Sequence, residues 1–100
     1  MTRIIRVPFL VPRWAIAQVL LPNTIFLKAG VTASTTLIAH ELVHVDQIQR
    51  YGLLAYWVRY LLLLLRYGYE DHPMEIEARA LETTIEWRKR AKRVLEVNDA

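Results

Sequence analysis

The stretch TTLIAHELVHVDQIQRYG, residues 35–52, carries the strongest structural signal in this 100-residue chain. Apolar residues recur on one helical stripe, while His40 and His44 lie on a second, polar stripe. The apolar stripe comprises Ile38, Leu42 and Val45. The Ser/Thr cluster 32–36 offers several N-caps, and Gly52 suits a C-cap. The stretch predicts an amphipathic helix that ends just before Gly52.

Downstream, Leu53–Leu65 is apolar except for Arg59. At about 1.5 Å per residue this segment reaches only about 20 Å, short of a hydrocarbon layer of about 30 Å. We therefore expect a buried core helix over Leu53–Tyr67 and no stable membrane insertion. A last amphipathic helix, expected from Pro73 to about Leu95, would cover it.

Upstream, Trp14–Leu20 and Thr24–Lys28 are rich in β-formers, and the intervening Pro-Asn pair suits a tight turn. They predict a hairpin. A further strand within Arg3–Leu10 is confined to an edge or an end by Pro8. The expected fold class is α+β, with three helices and a small antiparallel sheet.

Composition narrows the function classes. The chain is 54% hydrophobic and lacks cysteine, so residues 1–100 fit one small domain, and any metal must bind His, Asp or Glu. The net charge of +3 is too mild to require nucleic acid. Pro8, Pro12 and Arg13 interrupt the first apolar stretch, so it does not fit a secretory signal and we expect a cytoplasmic protein. A free monomer of this size can expose part of the surface of Leu53–Leu65, which is compatible with self-association into a homo-oligomer.

The polar stripe contains His40-Glu41-Leu42-Val43-His44, a His-Glu-x-x-His motif. Two imidazoles four residues apart on a helix can converge on one ion. Glu41 lies roughly 60° around the axis from His44, beside such an ion, where a base for a metal-bound water belongs. Two partly buried histidines with ordinary hydrogen bonds are the alternative interpretation.

A catalytic zinc usually takes three protein ligands. The extended motif that supplies a third His is absent, because Gln47 and Arg50 occupy its Gly and His positions. The open candidates for the third ligand are Glu70, Asp71, His72, Glu75 and Glu77. Glu75 lies in a rigid first helical turn, although a Glu there also commonly completes a capping box.

The motif followed by Pro73-Met74-Glu75-Ile76-Glu77-Ala78-Arg79 resembles the gluzincin metallopeptidases. The length and the hydrophobic helix between the two motifs more closely resemble the minigluzincins, minimal relatives of the catalytic domains of membrane CAAX-processing peptidases. The resemblance implies a zinc metallopeptidase that acts on peptides or proteins. It implies His40, His44 and Glu75 as zinc ligands and Glu41 as the catalytic base.

One position departs from the resemblance. Arg79 stands where those membrane enzymes often carry Asp, so the partners that orient the histidines are unassigned. Gluzincins also use a downstream side chain to stabilise the oxyanion, and Tyr67, Tyr69 and His72 are candidates, with Tyr69 preferred. We expect a substrate peptide to add to Thr24–Lys28 as an edge strand.

Two features support other interpretations. The basic cluster Arg88-Lys89-Arg90 with Lys92-Arg93 suits either a solvated helix end or phosphate contacts, so the rival function is a small nucleic-acid-binding helical module with an incidental His pair. The tail Glu96–Ala100 is either a frayed terminus or a source of oxygen ligands that would keep the enzyme latent, as in a zymogen.

Overall fold

The computed structural model describes residues 2–8, 10 and 15–99, in which a small sheet precedes the helices. The elements are β1 (Arg3–Val7), β2 (Ala17–Leu21), β3 (Thr24–Lys28), α1 (Thr35–Tyr51), α2 (Leu53–Tyr67), α3 (Pro73–Leu81) and α4 (Ile85–Asp99). The predicted α+β class is confirmed. The described residues contain four helices, so the prediction of three was wrong.

The sheet is mixed, with the strand order β1-β3-β2. The predicted hairpin is confirmed for β2 and β3, which pair antiparallel around a turn where Asn23 adopts a φ of 54°. β1 instead pairs parallel with β3, so the prediction of an entirely antiparallel sheet was wrong. The direction of β1 depends on the chain path between Val7 and Ala17, which no local pattern reveals. Trp14, assigned to the hairpin, lies outside the described residues.

Helix α1 lies at the centre of the molecule, ends at Tyr51 as predicted, and begins within the Ser/Thr cluster that offered several N-caps. The Ser34 hydroxyl accepts a hydrogen bond from the Leu37 N–H at 3.1 Å and caps the N-terminus. At the other end, Gly52 adopts a φ of 82°, which lets the chain turn directly into α2. α1 packs against all three other helices and against β2 and β3. It therefore carries its polar stripe into the middle of the fold.

The predicted last helix is divided into α3 and α4 by a turn at residues 82–84. Within this turn, the Thr84 hydroxyl donates to the Leu81 carbonyl at 2.7 Å, and the Thr84 N–H bonds the same carbonyl at 3.0 Å. Threonine side chains that bond nearby backbone compete with the helical pattern. The turn lets α4 pack across α1, where Trp87, Ala91 and Val94 are buried.

The prediction that α2 is a buried helix was wrong. Only Tyr56 on this helix is buried, while Leu54 and Leu65 are 80% and 85% exposed. The reason is the course of α4, which covers α1 instead of α2. None of the helices in the described part of the chain combines the length and the apolar character that a membrane span requires.

The end of the chain is helical and attached to the sheet. The Asn98 side chain accepts from the Ile4 N–H at 2.9 Å and donates to the Thr2 and Val94 carbonyls at 3.2 and 2.8 Å. β1 is an edge strand, so these bonds cover part of its free edge. Asn98 is thus held at β1, so the tail is not frayed at this position, and Ala100, the last residue of the predicted tail, lies outside the described residues.

Candidate metal centre

Two histidines from α1 form one side of the site. His40 and His44 are one turn apart, and their ring centroids are 5.0 Å from each other. The His44 side chain is buried, and that of His40 is 15% exposed. Both rings therefore project from the rigid central helix toward the same point, as the spacing predicted.

Helix α3 supplies the third group. The His72 imidazole accepts from the Met74 N–H at 3.1 Å and caps this helix, and Pro73 occupies its first turn. Glu75 follows on the first turn, buried, with its Oε1 at 2.9 Å from His40 Nε2 and 3.1 Å from His44 Nε2. One carboxylate oxygen thus faces both imidazole nitrogens.

These three atoms fit a metal ion. They lie within 4.8 Å of one another. Zinc bonds of about 2.0–2.2 Å place tetrahedral ligand atoms roughly 3.4 Å apart. The separations of Glu75 Oε1 from the two imidazole nitrogens, 2.9 and 3.1 Å, are those of hydrogen bonds, so an ion between these atoms would require them to move apart.

The remaining nitrogen of each histidine has its own partner. His40 Nδ1 bonds Glu82 Oε1 at 3.0 Å, and His44 Nδ1 bonds Gln47 Oε1 at 2.9 Å. Such bonds fix the tautomer and the ring orientation of metal-binding histidines. Both Nε2 atoms are thereby directed toward Glu75. Sequence reasoning had left these orienting partners unassigned.

Gln47 also ties the two helices together. Its side-chain nitrogen donates to the Met74 carbonyl at 3.1 Å and to Glu77 Oε1 at 2.7 Å, and Arg50 donates to the same Glu77 oxygen at 2.6 Å. Gln47 is 1% exposed, so this link is sheltered from solvent. It holds α3 beside α1 at the level of His44.

Tyr60 is a residue of the site that sequence reasoning missed. Its hydroxyl donates to Glu75 Oε2 at 2.6 Å, the oxygen that does not face the histidines. The ring also stacks on that of His72, with centroids 4.1 Å apart. The available signal was that Tyr56 and Tyr60 lie one turn apart in a mostly apolar helix, where they bring their hydroxyl groups to His44 and Glu75.

The charges of the cluster stabilise one another. Burial lowers the pKa of His40, but hydrogen bonds with Glu75 and Glu82 outweigh it and raise that pKa to about 9. Burial would raise the pKa of Glu75, but the bonds with His40 and His44 hold it well below its usual range. Without a metal, the Glu75 carboxylate therefore pairs with the protonated His40 imidazole, and the same carboxylate raises the pKa of His44.

Glu41 lies beside this cluster. It is 6% exposed, and none of the described residues is recorded as a hydrogen-bond donor to its carboxylate. Burial raises its pKa, and the neighbouring charges of His44 and His40 oppose that rise. A carboxylate in this setting is able both to take up and to release a proton.

The other candidates for the third ligand lie elsewhere. His72 is fully buried, and both of its ring nitrogens are bonded away from the cluster, Nδ1 to Met74 and Nε2 to the Tyr60 carbonyl at 2.9 Å. Glu77 is bonded to Gln47 and Arg50. Glu70 and Asp71 are exposed, and the Glu70 carbonyl accepts from Arg79.

The three candidates for oxyanion stabilisation differ in their exposure and in whether their polar atoms are already hydrogen-bonded. Because both of its ring nitrogens are already engaged, His72 cannot serve. Tyr67 is exposed beneath Arg66. Tyr69 is exposed as well, at 53%, and partial burial together with the charges of Glu75 and Glu41 raises its pKa. Tyr69 precedes the ligand helix α3 in the chain, and no hydrogen bond from its hydroxyl to the cluster is described.

Two expectations about surfaces can be compared with the structure. Thr24–Lys28 is the central strand β3, paired on both sides, so the prediction that it offers an edge to a peptide was wrong. The free edges belong to β1 and β2. The basic cluster lies on α4, where all five cations are exposed and Arg90 stacks on Trp87 at 4.1 Å.

The whole chain was compared with known proteins. No protein-family model, curated protein or solved structure matches it. The resemblance to gluzincins therefore rests on the motif and on the residues that accompany it. The geometry of the His–Glu cluster is the remaining basis for assigning a function.

Proposed function

We propose that this chain is a zinc-dependent metallopeptidase of the gluzincin type. The observation that carries the proposal is the convergence of His40 Nε2, His44 Nε2 and Glu75 Oε1, with the buried Glu41 carboxylate beside them. Two imidazoles and one carboxylate are a ligand set typical of catalytic zinc in peptidases. The absence of cysteine is consistent with this chemistry.

The orienting bonds favour a metal site over an ordinary polar cluster. Each ligand side chain uses its second polar atom to bond a different neighbour, Glu82, Gln47 or Tyr60. This is the support that metal ligands receive in proteins, because it fixes their direction before the ion arrives.

His40, His44 and Glu75 would hold the zinc ion, which would supply Lewis-acid activation of water and of the substrate carbonyl. Glu41 would accept a proton from the attacking water and pass it to the leaving amine, a role that suits a buried carboxylate next to the ligand His40. The Tyr69 hydroxyl would donate a hydrogen bond to the oxygen of the substrate carbonyl as negative charge develops on that oxygen. Gln47 and Glu82 keep the histidines oriented throughout.

The rival function, nucleic-acid binding by α4, is supported by the exposed cations of its basic cluster. Nucleic-acid binding by α4 gives no role to the His–Glu cluster, although burying its charged groups costs free energy of folding. We therefore favour the peptidase. Its physiological substrate would be a peptide or protein in the compartment where the chain resides, which we expect to be the cytoplasm.

Zinc content after exhaustive dialysis tests the ligand assignment. We expect one zinc per chain in the wild type and strong loss in His40→Ala, His44→Ala and Glu75→Ala. Glu70→Ala is the matched control, because this glutamate is exposed and lies outside the cluster. Full zinc occupancy in Glu75→Ala, or equal loss in Glu70→Ala, would contradict the proposal.

A further inference from the structure

Helix α2 exposes a row of aliphatic side chains on the face opposite the core. This seam comprises Leu54, Val58, Leu61 and Leu65, with Leu62 beside it. The exposed fractions run from 50% at Val58 to 85% at Leu65. Monomeric proteins rarely leave so continuous an apolar row uncovered. In the described part of the chain, no element packs over it.

The spacing of the seam is that of a helix–helix interface. Successive seam residues are four, three and four positions apart. This alternating spacing is typical of helices whose apolar side chains fit between those of a second helix. The order of the intervals reads the same from either end. An antiparallel second copy of α2 therefore places Leu54 opposite Leu65, and Val58 opposite Leu61.

The charges of α2 favour a second copy over other occupants. The helix contains no acidic residue, and its two arginines lie over tyrosines of the same chain. The Arg59 guanidinium is 4.7 Å from the Tyr51 ring centroid, and that of Arg66 is 5.4 Å from the Tyr67 centroid. They leave the seam uncharged, as self-pairing requires. A lipid surface would instead draw on arginines that extend toward anionic headgroups.

We propose that the α2 seam is the interface of an antiparallel two-fold homodimer. A two-fold interface uses the same patch on both subunits, so a seam that reads the same in both directions is complementary to itself. Because one helix per copy forms a small interface, the dimer dissociates in the micromolar range. The dimer does not depend on zinc.

Sedimentation equilibrium of the full chain tests the proposal over a hundredfold range of concentration. The wild type shifts from monomer to dimer, and Leu61→Glu remains a monomer at the highest concentration. Ile85→Glu, the same kind of change at a residue that is 75% exposed on α4, behaves as the wild type. Circular dichroism confirms that each variant is folded.

Cysteine cross-linking tests the antiparallel alignment, since the chain has no cysteine of its own. A mixture of Val58→Cys and Leu61→Cys proteins forms the mixed disulfide dimer faster than either variant forms its own. Equal rates would overturn the alignment, and a dimer that persists in Leu61→Glu would overturn the interface. A wild type that stays monomeric also overturns the proposal. If that monomer co-sediments with phosphatidylglycerol vesicles, the seam binds lipid instead.

Discussion

Replacing Tyr60 by phenylalanine removes one hydroxyl from the candidate metal centre and leaves the ring in place. That hydroxyl donates to Glu75 Oε2 at 2.6 Å, and the Glu75 side chain is only 5% exposed. Solvent therefore offers little replacement for the lost bond. A hydrogen bond to a charged group contributes about 1.5–3 kcal/mol.

This energy can be converted into an effect on zinc binding. Because the bond is already present without metal, only its strengthening on zinc binding affects the binding constant, and a factor of about 10–150 is the upper limit. Loss of an outer partner of a metal ligand commonly weakens metal binding about 10–100-fold. We therefore expect the zinc Kd of Tyr60→Phe to be about 10–100 times that of the wild type, because Glu75 is no longer held in one orientation.

Competition against a chromophoric chelator measures this Kd directly. Tyr67→Phe is the matched control, since Tyr67 is exposed and its hydroxyl has no bond described in the structure. Its Kd should equal that of the wild type. A Kd within about threefold of the wild type for Tyr60→Phe, or a similar loss in Tyr67→Phe, would refute the role of Tyr60 in holding the ligand.

Two further predictions concern pH and the end of the chain. Because the pKa of His40 is raised to about 9 without metal, zinc must displace a proton from it at pH 7, so zinc affinity should rise about tenfold between pH 7 and 8; an affinity that is flat over this range would contradict the shift. Because the folded-state pKa of His40 is raised above 6.5, its hydrogen bonds with Glu75 and Glu82 stabilise the metal-free fold fully below pH 6.5, and this stabilisation is lost as the pH rises through 9. Thermal unfolding measured across that pH range would detect the loss. Asn98→Ala removes the bonds to the Thr2 carbonyl and the Ile4 N–H. We expect it to cost about 1–2 kcal/mol and to lower the Tm by roughly 5–15 °C, and an unchanged calorimetric Tm would show that the tail does not stabilise the sheet.

Local signals in the sequence sufficed for much of the fold. The bounds of α1 follow from Ser34 and Gly52, residues whose effect is confined to one helical turn. The hairpin follows from the Pro-Asn turn between two β-rich segments. The convergence of His40 and His44 follows from helical spacing alone. In each case the deciding interactions lie close together in the chain.

The remaining features depend on contacts between distant residues. β1 could not be oriented because its partner β3 is chosen by the course of the intervening chain. The exposure of α2 depends on the turn at residues 82–84, which directs α4 across α1. Glu82 reaches His40 only because this turn places it there. A sequence pattern carries little information about such placements.

The proposed activity is tested most directly by peptide hydrolysis at equal zinc occupancy. The zinc-loaded wild type and Glu41→Gln are incubated with the same mixture of peptides, and the cleavage products are quantified by mass spectrometry. We expect both proteins to hold one zinc, and Glu41→Gln to cleave about 10²–10⁴-fold more slowly, because an amide cannot accept the proton of the attacking water. Comparable cleavage by the two proteins, or no cleavage by the fully loaded wild type, would contradict the account.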